Sequence, residues 1–206
     1  MKAFSLLAGS IILFLTGCLS QKPTYSSEVL QKTQVHRTIA VLPFKVTFTP
    51  GFLEDLYLRR KRPVSYDEFA WEHERTAGLE LQYAFFKQVT RQVEKGKMKI
   101  VCLDILQTNK LLGQQNISMK ELYNTPKEII AQTLGVDAII LGETAINMDR
   151  RIVGWGGVDT RVSLYDVKNK SILLSDETNE RFNRPMDTPA YLANSTVQTL
   201  ARRLPY

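Results

Sequence analysis

Two cysteines, two histidines, a scatter of carboxylates and one glycine-rich run hold what reactive chemistry this sequence offers. Cys102 sits inside an apolar stretch, Lys99-Ile-Val-Cys-Leu103. A thiol attacks only as thiolate, which apolar surroundings oppose. Cys102 therefore reads as a small core residue rather than half of a Cys–His pair. His36 and His73 are the only histidines. His73-Glu74 begins like a zinc-protease helix motif, but the second histidine would fall at Ala77. Gly154-Trp155-Gly156-Gly157 lacks the spacing and the strand-to-helix setting of a phosphate loop, and no Gly-x-Ser-x-Gly elbow is present. Asp137, Glu143 and Asp149 lie near one expected strand without converging. The inventory points away from an enzyme and calls for no metal and no cofactor.

Cys18 is different. Lys2 precedes an apolar run from Ala3 to Leu15, the layout of an export signal. The run is shorter than the roughly 20 residues that cross a bilayer. It closes on Leu15-Thr16-Gly17-Cys18, which resembles a bacterial lipobox. That resemblance implies cleavage after Gly17 and a diacylated Cys18. Two acyl chains suffice for stable anchoring, at about 0.8 kcal/mol per buried methylene. Residue 19 is leucine and not aspartate, which in lipoproteins of enteric-type bacteria implies sorting to the outer membrane, with the domain facing the periplasm.

Cleavage leaves about 190 of the 206 residues, enough for one domain with a core. Hydrophobic content of 44% and charged content of 23% are ordinary for a globular chain. The formal charge of +6 becomes +5 once Lys2 leaves, a mild excess that suits anionic lipid or cell wall. Cys102 alone has no disulfide partner. The expected organisation is a signal at 1–17, a lipidated flexible tether at 18–37, and one globular domain at 38–206.

Along that domain, Thr38–Phe48 reads as a strand, with Ile39-Ala-Val-Leu42 covered on both faces and Pro43 marking an edge or bulge. Thr49–Pro63 reads as irregular. A long helix follows from Ser65, with Ala77, Leu81, Phe85, Val89 and Val93 at i+4 spacing and Gly96 as its stop. Then come a strand at Lys99–Leu103, a short helix to Leu112 and a helix opened by Thr125-Pro126-Lys127-Glu128, burying Ile129, Ile130 and Leu134. A strand at Val136–Ile146, a hairpin turning at Lys168-Asn-Lys170 and a last helix from Thr188-Pro189 complete the chain. The order is β-α-β-α-α-β-β-β-α. It predicts an α/β (α+β sandwich) fold, with one mixed sheet of about five strands and helices packed on it.

Several phrases resemble one family of envelope domains. They are Ile39-Ala-Val-Leu-Pro-Phe44, Ile100-Val-Cys-Leu103 leading to Asn109-Lys-Leu-Leu112, Ala131-Gln-Thr-Leu-Gly-Val-Asp-Ala-Ile-Ile-Leu-Gly142, and Val162-Ser-Leu-Tyr-Asp-Val-Lys-Asn-Lys-Ser171. They are similar to the anticodon-binding-like domain at the N-terminus of TolB, which recurs in the curli secretion lipoprotein CsgG and the penicillin-binding-protein activator LpoB. The resemblance spans Thr38–Leu204 and specifies fold better than function. It implies a non-catalytic, lipid-anchored protein that binds another envelope protein in a secretion or cell-wall complex. The alternative is an auxiliary or structural part of a lipid or surface-protein transport system. Two departures narrow it. No connection supplies long membrane hairpins of about ten residues per strand, and a tether of about 20 residues reaches at most roughly 70 Å.

Two loops carry the partner-binding expectation. Arg59, Arg60 and Arg62 form a basic run with Lys61, which is equally a plain solvated loop. Arg150, Arg151 and Trp155 stand in the second loop, the pairing enriched in interface hot spots, unless the Trp folds back on the sheet. Export argues against nucleic acid as partner, and self-association into an oligomer is compatible with both loops.

Overall fold

The continuous apolar phrases Ile39–Leu42 and Ala138–Leu141 demand cover on both faces, and they set the middle of the sheet. In the computed structural model, residues 24–59, 64–148, 156–184 and 186–206 are described. A short helix α1, Ser27–Thr33, leads into β1, Thr38–Val41, and β2, Lys45–Phe48. Helices α2, Pro50–Leu58, and α3, Tyr66–Glu94, follow. Next come β3, Val101–Cys102, then α4, Ile105–Gln114, α5, Met119–Leu122, and α6, Lys127–Leu134. The long strands β4, Ala138–Met148, β5, Gly156–Asp166, and β6, Ser171–Arg181, precede α7, Pro189–Arg202.

The sheet runs β3-β1-β4-β5-β6, with β2 also paired to β4. Strands β1 and β2 lie parallel to β4, while β5 and β6 are antiparallel. This is the mixed sheet the sequence predicts, in an α/β sandwich. Alternation along β1 and β4 divides the core. Ile39, Val41, Ala138, Ile140 and Ile146 face Leu81, Phe85 and Val89 of α3 and Val197 and Leu200 of α7. Ala40, Leu42, Ile139 and Leu141 face Leu112, Leu122, Ile130 and Leu134 of α4, α5 and α6.

The expected single strand Thr38–Phe48 is broken in two. From Val41, opposite Ile140, to Lys45, opposite Glu143, the chain takes one residue more than β4 does. Pro43 lies in that extra span, as a residue without a ladder donor must. Phe44 is buried there against Gly142 and its carbonyl lies against Gly78; a Cβ at either glycine would run into it. The Tyr123 hydroxyl accepts from the Lys45 amide and reaches the Pro43 and Gly142 carbonyls. Six strands result instead of about five.

Other differences are local. Within the stretch predicted to be irregular, Pro50–Leu58 is the helix α2, with Thr49 as N-cap and Pro50 in its first turn, where the missing N–H costs nothing. The polar stretch expected as flexible tether to Arg37 contains α1, with Thr33 and His36 buried. Thr125 does not cap α6; its hydroxyl donates to the Glu121 carbonyl and Pro126 holds the cap position. Ile129 is 49% exposed, because the buried stripe of α6 is Ile130, Ala131 and Leu134.

β4 has 11 residues, so its two ends lie about 33 Å apart. The near end holds α1, the start of β1, the ends of α3 and α7, and the β5–β6 turn. The far end holds the ends of β2 and β4, the helix α2, and the starts of α3 and α7.

Candidate partner-binding end

At the far end, α2 lies across the start of α3. Phe52, Leu53, Leu56 and Tyr57 form its inner stripe, at i, i+1, i+4 and i+5. Phe52 stacks on Phe48 of β2 at 5.8 Å. Tyr57 meets Tyr66 edge-on at 5.6 Å and Phe69 at 5.5 Å. Its hydroxyl donates to the Val64 carbonyl at 2.8 Å. Met148, the last residue of β4, packs on the same cluster, and its amide donates to the Thr49 hydroxyl.

Beside this cluster opens a groove of about 490 Å³, lined by Phe48, Phe52, Leu56, Ala77, Leu81, Ile146, Pro189 and Ala193. His73 lines it too, with its ring 4.2 Å from Phe69 and its Nδ1 donating to the Phe69 carbonyl. Glu72 and Glu80 stand on the rim, exposed. Leu58, Met186 and Tyr191 are exposed apolar side chains on α2 and around the start of α7. An apolar groove beside exposed apolar side chains suits another polypeptide better than a small polar substrate.

Of the predicted site residues, Arg59 is the C-cap of α2 and is exposed. Cys18, Arg60, Arg62, Arg150, Arg151 and Trp155 lie outside the described residues. The described flanks of both predicted loops nevertheless meet, since Tyr57 and Val64 on one side and Met148 on the other belong to one cluster. The groove itself was missed from sequence. Its signal was Thr49-Pro50 followed by Phe52, Leu53, Leu56 and Tyr57, a helix start and stripe hidden among charged neighbours.

The near end holds a buried polar cluster. His36 is buried, with Nε2 2.7 Å from Asp166 Oδ1 and Nδ1 2.9 Å from the Tyr206 hydroxyl. The other Asp166 oxygen accepts from the Asn169 amide in the β5–β6 turn. The Thr33 hydroxyl donates to the Pro205 carbonyl at 2.9 Å. Burial pushes the Tyr206 hydroxyl far above the ordinary phenol range, with Asp166 and Asp137 adding to the effect. Asp137 accepts from the amides of Arg37 and Thr38, and these bonds outweigh its partial burial and hold its carboxyl below the usual range. Apart from the local Asp166–Asn169 bond, each of these bonds ties one chain segment to another.

Cys102 is half-buried rather than fully in the core. Burial, with the Asp104 carboxylate nearby, pushes its thiol up to about 12. Such a thiol is almost wholly protonated at neutral pH and makes a poor nucleophile. Among the described residues, no three His, Cys, Asp or Glu converge as metal ligands, and no helix is long and apolar enough to cross a membrane.

No family model matches the sequence, and no curated protein matches it. Among solved structures, lipoprotein GNA1162 from Neisseria meningitidis is similar at 15% identity and TM-score 0.46, over 72% of this chain and 85% of that one. The LpoB C-terminal domain from Salmonella enterica is similar at 12% identity and TM-score 0.37, over 74% and 93%. The PelC dodecamer from Paraburkholderia phytofirmans is similar at 12% identity and TM-score 0.43, over 81% and 87%. Likenesses this distant assign neither activity nor partner, and the fold rests on the topology described above.

Proposed function

We propose that this chain is a non-catalytic, lipid-anchored protein of the bacterial cell envelope that presents its far end to another envelope protein. The supporting observation is the separation of the two ends. Acylation at Cys18 tethers the chain beside α1. The apolar groove opens toward the other end of β4, a strand about 33 Å long. Leu19 after the cysteine favours the outer membrane, with the domain in the periplasm. A groove walled by Phe48, Phe52 and Leu56 takes an apolar segment of the partner, and the exposed Glu80 on its rim favours a basic residue beside that segment. The described flanks of the basic and Trp-bearing loops, Tyr57, Val64 and Met148, belong to the cluster at the same end.

Photo-crosslinking in cells tests this reading. Probes at Leu58, Tyr191, Arg60 and Trp155 are expected to capture one common envelope protein, while a probe at Ser175 on the outer face of β6 captures none. If the four far-end probes capture only lipid or nothing, the partner reading fails.

A further inference from the structure

We propose that the near end is a docking surface for the anionic phospholipid headgroups of the bilayer that anchors the chain. A groove of about 1040 Å³ opens there between α1, the end of α3 and the end of α7. Lys97, Lys99, Arg202 and Arg203 line it, and among the described residues no Asp or Glu does. Lys97, Lys99 and Arg202 are exposed and make no ion pair among the described residues, whereas Arg203 lies 3.7 Å from Asp176. Leu30, 40% exposed, lies on the groove wall, and Val35, 62% exposed, follows α1. Cations beside exposed apolar side chains match a bilayer interface, where headgroup charge and acyl boundary lie within a few ångströms.

Chain length selects the occupant. From Cys18 to Thr24, the first described residue, the backbone spans no more than about 22 Å. α1 follows at once, so an acylated Cys18 holds this groove, and not the far one, against the headgroups. The inference rests on the acylation proposed above. The attraction acts within a Debye length of about 8 Å, so the surface engages only when the domain sits down on the membrane.

The test uses the protein purified from membranes and reconstituted into vesicles. One set is phosphatidylcholine, and the other contains about one-third phosphatidylglycerol. A short pulse of an amine-reactive reagent is read at single lysines by peptide mass. Labelling of Lys97 and Lys99 is expected to fall about fivefold on the anionic vesicles and to recover in high salt. Lys45, exposed on β2, serves as the unchanged reference. Equal labelling of Lys97 and Lys99 on both vesicle types overturns the docking surface. Intact mass of the same sample reports acylation of Cys18 separately. An unacylated chain with charge-dependent protection keeps the surface and sinks the anchor. An acylated chain with equal labelling does the reverse.

Discussion

The two ends of β4 belong to one sheet, yet different forces hold them. The near end is closed by polar contacts: Thr33, His36, Asp166 and Tyr206 join α1, the β5–β6 turn and the last residue. The far end is closed by rings, with Phe48, Phe52, Tyr57, Tyr66 and Phe69 in mutual contact and a groove left open beside them. A satisfied buried polar network specifies one geometry, because any shift strands a donor or acceptor. Apolar packing is less directional and exchanges one apolar neighbour for another at small cost. Under the proposed function, the first suits the anchored end and the second suits the end that takes a partner.

Substitutions can break this contrast in a graded way. The largest effect is expected from His36→Ala. It leaves Asp166 buried with no imidazole and frees Tyr206, a loss of about 3 kcal/mol. For a domain of this size that lowers Tm by roughly 6–12 °C, measurable by calorimetry. Gly142→Ala comes next. Its Cβ has no room beside the Phe44 ring, and overpacking of this kind costs about 2 kcal/mol. Denaturant unfolding should show a lower midpoint with the same slope. Leu56→Glu inverts the pattern. Leu56 is only partly buried on the groove wall, so stability should fall by about 1 kcal/mol or less. Crosslinking from Tyr191 should nonetheless drop at least tenfold, because the substitution places a charge in an apolar seat. If Leu56→Glu unfolds the domain while His36→Ala does not, the contrast between the ends is inverted. The smallest effect is expected from Glu177→Ala. Its ion pair with Arg161 is exposed on both sides, and its loss should change stability by less than about 0.5 kcal/mol.

Much of this architecture was legible in the sequence. The i+4 stripe from Ala77 to Val93 placed α3 against the sheet, and the unbroken runs Ile39–Leu42 and Ala138–Leu141 announced strands covered on both faces. Pro43 marked an edge or bulge within one expected strand, and the structure breaks that strand there into β1 and β2. What failed to show was long-range polar pairing. His36 looked like one residue of a polar tether because its partners, Asp166 and Tyr206, lie 130 and 170 residues away. Periodicity reports which face is buried, not which distant carboxylate meets an imidazole. α2 escaped for a different reason. Its stripe is short, and Glu54, Asp55 and Arg59 dilute it, so tertiary contact with Phe69 rather than local pattern decides it. The groove inherits that invisibility, since α2 forms one of its walls.

The central claim is that one end faces the membrane and the other faces away. Energy transfer to the bilayer measures it most directly. Single cysteines replace Gln34 at the near end and Tyr191 at the far end, and each carries a donor dye. Cys102, with its thiol pushed up to about 12, stays largely unlabelled near neutral pH. The acylated protein is reconstituted into vesicles bearing acceptor dye on their headgroups. The predicted result is strong quenching of the donor at residue 34 and weak quenching at residue 191, since these positions lie toward opposite ends of a sheet whose strand β4 is about 33 Å long. Equal quenching at the two positions would contradict it.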